Sequence, residues 1–124
     1  MIFTNATMNL HLNSLNTLSK KVKGRLAYAV ARNIRKLTNE LIEFENIKND
    51  YIIKYGEKSE DGRYSIDLKS DEYKNFLEFI KDYISIEHDV DIFMVSEEEI
   101  YTSDLTADEI LSLDFMISDE EKDA

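Results

Sequence analysis

Residues 25–55, RLAYAVARNIRKLTNELIEFENIKNDYIIKY, decide the fold. Apolar side chains recur in steps of three and four at Leu15, Leu18, Val22, Leu26, Val30, Ile34, Leu37, Leu41 and Phe44. They resume at Tyr51 and Tyr55 after a break at Lys48. This is a helical period, since residues three and four apart share one face. Gly24 interrupts the run and predicts a first helix near 13–22 and a long one over 25–55. The core face of the long helix is Leu26, Val30, Leu37, Leu41 and Phe44, with no strand between Ala27 and Phe44. At 1.5 Å per residue the helix measures about 46 Å. A chain of this length folds to a globule roughly 35 Å across. The helix must therefore protrude, kink, or rest its end on another chain.

Around this helix the elements are short. Met1-Ile2-Phe3 suits an edge strand. Gly56 stands where a helix C-cap belongs. Asp61-Gly62 is a turn signal followed by the alternation Tyr64, Ile66, Leu68. Ser70 or Asp71 caps a helix carrying Tyr73, Phe76, Leu77, Ile80 and Ile84, and Ser85 to Val95 reads as a strand. Thr106 with Glu109 forms a capping box that opens a short helix through Ile110, Leu111, Leu113 and Ile117. The expected fold is α+β, predominantly helical, with one or two further helices and a small two- or three-stranded sheet. It makes a single domain over 1–124, with an acidic tail, 118–124, that frays.

The 124 residues include no Cys and no Pro, and the formal charge is −11. Without Cys there is neither disulfide nor thiolate metal site. The start has no 7–15-residue apolar run of a secretory signal, and no stretch approaches the ~20 residues of a membrane span. Charge is unevenly distributed. Residues 1–54 hold nine Lys/Arg against four Asp/Glu, whereas residues 55–124 hold six against twenty-two. Such asymmetry points to an electrostatic partner, internal or external.

Two charged faces follow. On the long helix Arg25, Tyr28, Arg32, Arg35 and Lys36, with Lys21 before the break, fall within about 100° of arc opposite the apolar stripe. Basic residues with an interleaved aromatic suit a phosphate backbone. The stronger reading is a solvated face, or one paired with the chain's own acidic half, since a net charge of −11 repels nucleic acid beyond the patch. The net charge predicts no tight binding to duplex DNA, because non-specific affinity is mainly electrostatic. From Asp82 to the end there are fifteen Asp/Glu against Lys122 alone. Asp89, Asp91, Glu97, Glu98, Glu99 and Asp104 are the candidate partner-binding residues, since spaced carboxylates compete for Arg and Lys where a basic groove expects phosphates. Ordinary solubility charge is the other reading.

Catalytic and metal motifs are not found. Glu57 to Leu68 imitates a calcium loop but has Leu68 at the twelfth position and Glu57 at the first. In Glu87-His88-Asp89-Val90-Asp91 a strand turns the three carboxylates one way and His88 the other. His11 and His88, the two histidines, have no nucleophile beside them. The expectation is a non-enzyme without metal or cofactor. The aromatics of the middle third, Tyr51 to Tyr83, suit a core and also an interface.

Leu26-Ala27-Tyr28-Ala29-Val30-Ala31-Arg32-Asn33-Ile34, with Leu37, Glu40-Leu41 and Lys54-Tyr55-Gly56, resembles a family of small phage and prophage proteins of Gram-positive bacteria. Leu105-Thr106 and Leu113-Asp114-Phe115-Met116-Ile117 look similar too, so the likeness covers about half of the chain. The central loop departs from it, being shorter than the variable Asp/Gly-rich insertion it leads one to expect. The resemblance implies a phage setting in the host cytoplasm, with no established activity and no functional residues to transfer. It fits an accessory protein that binds a protein with a basic surface, such as a defence nuclease of the CRISPR type or another. It also fits a virion assembly component that oligomerises through its long helix.

Overall fold

The structure, a computed structural model, describes residues 1–118; of the expected frayed tail, residues 119–124 lie outside the described residues. Strand β1 (Ile2–Thr4) leads directly into helix α1 (Asn5–Leu18), followed by α2 (Gly24–Tyr55), a hairpin of β2 (Glu57–Lys58) and β3 (Tyr64–Ser65), and α3 (Asp71–Ile84). Strand β4 (Glu87–Asp89) precedes two short helices, α4 (Glu97–Tyr101) and α5 (Ala107–Ser112), and a 3-10 turn at Asp114–Met116. The architecture is α+β and predominantly helical, as the periodicity predicts. Its sheets are two antiparallel pairs, β1 with β4 and β2 with β3, and Phe3 sits opposite His88 in the first. Among the described residues no helix is long and apolar enough to cross a membrane.

The long helix is continuous, and all five residues of its expected core face are buried. Gly24 opens it: its φ of +62° lies in the left-handed region and nothing would touch an added Cβ, so the backbone angle alone calls for glycine. At the other end Gly56 has an ordinary φ, but a Cβ there would strike the Ile52 carbonyl and stand 2.6 Å from that of Ser65. The hairpin docks on the helix end through that missing side chain.

The first helix is Asn5–Leu18, not 13–22. The Thr4 hydroxyl caps it by accepting from the Thr7 amide at 3.1 Å. Met8, Leu15 and Leu18 are buried at helical spacing, and that burial outweighs the weak propensity of the Asn-rich segment. The expected strand from Ser85 to Val95 is paired only over Glu87–Asp89, and Tyr64–Leu68 only over Tyr64–Ser65. Beyond β4 the chain stays extended, but its polar groups bond elsewhere. The Asn33 carboxamide takes both the N–H and the C=O of Phe93, at 2.8 and 3.0 Å. Val95 bonds the segment after the 3-10 turn, donating to Met116 O at 2.8 Å and accepting from Ser118 N at 2.7 Å. The last helical stretch stops at Ser112 and tightens into the 3-10 turn instead of running to Ile117.

One core joins α1, the first two thirds of α2, and the segment from Val90 to Ile117. Past Phe44 the long helix leaves this core, and no residue between Phe44 and Val90 is buried. Here α3 covers it through stacked and tilted rings, with Tyr51 4.5 Å from Phe79 and 5.6 Å from Phe76. The excess length is thus met by a second, aromatic contact outside the main core.

Candidate functional site

The acidic segment is held by caps and a buried anchor. Ser96 accepts from the Glu99 amide at 3.3 Å and starts α4, whose first turn is Glu97-Glu98-Glu99. Carboxylates are favoured there by the positive end of the helix dipole. Ile100, buried, pins this turn to the core. The capping box of Thr106 and Glu109 starts α5 in the same way. The sequence reading missed α4, although Ser96 followed by three glutamates is a helix-start signal.

Three of the carboxylates are neutralised within the chain. Glu99 bonds Arg25 at 2.9 Å, Glu109 bonds Lys21 at 2.9 Å, and Asp89 bonds the Met1 amino group at 2.8 Å. The Thr106 amide and then Lys21 hold the Glu109 carboxyl below its ordinary range. Asp91 engages Lys36 through its backbone carbonyl, which leaves its carboxylate uncommitted. Among the described residues Asp91, Glu97, Glu98 and Asp104 have no cationic partner for their carboxylates. Between 85 and 118 there are ten Asp/Glu and no Lys or Arg, so these charges are not diluted by local cations.

The basic face divides likewise. Arg25 pairs with Glu99 and lies 5.8 Å over the Phe93 ring, against whose edge Tyr28 packs at 5.6 Å. Lys36 is tied to Asp91. Arg32 and Arg35 are exposed and, among the described residues, without an ion pair. The acidic and basic faces therefore meet along one seam: a cleft of about 730 Å³ between the α1–α2 turn and α4, with Lys21, Lys23 and Arg25 on one wall and Glu99, Ser103 and Asp104 on the other. One ion pair crosses it, Arg25 to Glu99 at 2.9 Å, and ties α4 to α2.

The histidines occupy different surroundings. His11 stacks on Phe115 with ring centres 4.0 Å apart and meets Phe3 edge-on at 5.2 Å; it is a packing residue. Burial lowers its pKa from the ordinary 6.5. The unfolded chain takes up the proton at that ordinary value while the folded chain resists it, so this contribution to stability is present above pH 6.5 and is lost as pH falls below it. The thermal midpoint is expected to drop between about pH 7.5 and 5.5, and His11→Phe to flatten that dependence. An unchanged slope in the variant would assign the dependence to other groups. His88, by contrast, turns inward from β4 with Nδ1 3.2 Å from Glu40, while Glu87 and Asp89 face solvent, the split that strand alternation predicts.

The imitation calcium loop is the β2–β3 turn, in which Asp61 accepts from the Ser59 hydroxyl and the Arg63 amide, bonds that keep its carboxyl more acidic than usual. Among the described residues no three His, Cys, Asp or Glu side chains converge to hold a metal ion. Comparison of the chain with protein-family models, with curated proteins and with solved structures finds no match.

Proposed function

We propose that the chain is a non-catalytic accessory protein of a phage, working in the host cytoplasm by binding a host or phage protein with a basic surface. Inhibition of a host defence nuclease is its sharpest form: the acidic face occupies the groove that would hold nucleic acid. The observation that supports this most is the internal bookkeeping of charge. After Arg25, Lys21 and the Met1 amino group have taken Glu99, Glu109 and Asp89, the carboxylates of Asp91, Glu97, Glu98 and Asp104 still lack cations among the described residues. Tyr101, 76 % exposed on α4, and Leu111, 70 % exposed on α5, add apolar area to the same segment, and tyrosine is enriched where proteins meet. The protein is read as binding neither membrane nor duplex DNA, because the same carboxylates repel both.

The test is affinity capture from host lysate by the parent and by a variant with Asp91→Asn, Glu97→Gln, Glu98→Gln and Asp104→Asn. Glu99 is left in place because it pairs with Arg25. The parent is expected to capture a basic protein most strongly at low ionic strength and more weakly as screening shortens the Debye length to about 8 Å at 0.15 M. The variant should capture little at any salt while melting with the parent, since exposed charges contribute about 0–1 kcal/mol. Equal capture by both proteins would refute the role of this face.

A second reading is a virion assembly component that oligomerises through the long helix. The half of the molecule that favours it is α2 beyond Phe44 with α3, where Ile53, Leu77 and Ile84 are exposed. Solution mass separates the two: a monomer or dimer fits the inhibitor, and a ring or a concentration-dependent series fits assembly.

A further inference from the structure

Where α1, α2 and β4 meet, two polar atoms are buried without a partner among the described residues. Asn5, 3 % exposed, sits in the first turn of α1. Its backbone N–H donates to Ile86 O at 3.0 Å, and its side-chain Nδ2 donates to Tyr83 O at 2.8 Å. Because Tyr83 O is an acceptor only, the carboxamide cannot be turned over. Oδ1 is therefore fixed on the other side, buried and unbonded. His88 is arranged similarly. Its Nδ1 stands 3.2 Å from the Glu40 carboxylate. A carboxylate only accepts, so in the neutral ring Nδ1 carries the hydrogen and Nε2 keeps a lone pair. Nε2 too is buried and unbonded.

Both residues line one recess of about 90 Å³, together with the carboxylate residues Glu40 and Glu43 and the apolar walls of Phe44 and Ile86. Asn5 Oδ1, His88 Nε2 and the carboxylates of Glu40 and Glu43 are all acceptors, so an occupant must bring donors. Two carboxylates at the rim also call for positive charge. They outweigh the half charge, about +0.5, at the N-terminus of α1. The volume admits roughly three water-sized groups of about 30 Å³ each. An ammonium with its last methylenes fits that space, and a planar guanidinium on its stem is larger.

We infer that this recess receives a lysine side chain of the protein partner, with Asn5 Oδ1 and His88 Nε2 accepting from its ammonium and Glu40 and Glu43 balancing its charge. The inference rests on the reading of the chain as a binder of basic protein surfaces and names where one cation of that surface is anchored. Lysine suits such a site because its ammonium is a compact point charge with three donors, in contrast to the wide fork of arginine.

The experiment uses the full chain, isotope-labelled, with the His88 imidazole and Asn5 carboxamide resonances as readout. Three capped, flexible peptides are titrated at physiological salt, identical except for a central lysine, Nε-acetyl-lysine or arginine. The lysine peptide is expected to shift both resonances saturably, with the acetylated peptide about tenfold weaker because it has lost the charge-assisted bonds. Glu43→Gln, an exposed change that leaves the packing intact, should weaken the lysine peptide several-fold. Asn5→Leu should abolish the shift at His88; if that variant does not fold, Glu43→Gln and the acetylated peptide decide. Equal response to acetyl-lysine, or a stronger response to arginine, would overturn the inference. So would a saturable response to zinc alone without one to lysine, which would make the recess a metal site. Silent resonances with every peptide would mean that the recess holds solvent only. If the peptides leave His88 and Asn5 unmoved while the captured partner still depends on Glu97 and Glu98, this inference falls and the acidic-face reading stands. If neither dependence is seen, both fall.

Discussion

Asn33→Leu is expected to destabilise the protein by about 2 kcal/mol, although it replaces a polar residue by an apolar one of similar size at a fully buried position. Asn33 lies in the middle of the buried face of α2, with an exposure of 0 %. Its carboxamide exchanges two hydrogen bonds with the backbone of Phe93 and points its amide at Met116 Sδ, 3.5 Å away. The pair imitates one rung of a β-ladder in a segment that has no neighbouring strand. Leucine would leave the Phe93 N–H and C=O without partners, at about 1–3 kcal/mol each. The gain from burying the new side chain offsets only about 1.5–3 kcal/mol of that. Thermal unfolding checks the result, since 1 kcal/mol corresponds to roughly 3–6 °C in a chain of this size. Asn33→Asp provides the sign. A buried carboxyl is disfavoured when charged, so that variant should recover stability as pH falls, when the protonated acid can donate to Phe93 O. A leucine variant as stable as the parent would show that the Phe93 contacts do not hold the segment.

Leu37→Ala is expected to cost about 2–5 kcal/mol, the sum of lost transfer energy and the cavity left behind. Leu37 is completely buried on α2, in the core that α1 and the segment from Val90 onward share. That loss is a large share of the roughly 5–15 kcal/mol that holds a domain together. Leu77→Ala, the same chemical change on α3 at a residue 45 % exposed, is the internal comparison and should cost less than about 1 kcal/mol. Equal losses at the two sites would mean that α3 belongs to the main core after all.

The contrast between these positions shows what was legible in the residues. The apolar face of α2 could be read because a 3.6-residue period needs no knowledge of neighbours, and Ser70 and Thr106 announced their helices by capping chemistry alone. Asn33 could not be read, because its meaning lies in the backbone of a residue sixty positions away. The same is true of the extended run after β4: its alternation is that of a strand, but its partners are a side chain and the chain's end. The start of α1 was hidden by its asparagines, whose local preference is overruled by Met8 and Leu15. For the candidate surface, the one-sided charge from residue 85 onward was visible in composition. Which of the carboxylates are spoken for by Lys21, Arg25 and the Met1 amino group depended on how α4 and α5 lie against α2, a long-range arrangement that no local pattern encodes.

The departure of the long helix from the core at Phe44 bears on how the molecule comes apart. Between Phe44 and Val90 the hairpin, α3 and the end of α2 contain no fully buried residue, whereas the face of α2 from Leu26 to Leu41 is closed on every side by packed side chains. Opening free energies within one protein run from near zero up to the global value, according to how much packing each unit shares. Amide protons of α3 should therefore exchange through a partial opening that leaves α1 and the first part of α2 intact, while those near Val30 and Leu41 exchange only when the whole chain unfolds. The helix that unites the fold is in this sense two helices end to end, one as durable as the protein and one as durable as its aromatic contact with α3. A ligand closing on that contact would register first as slower exchange in α3, before any change of shape.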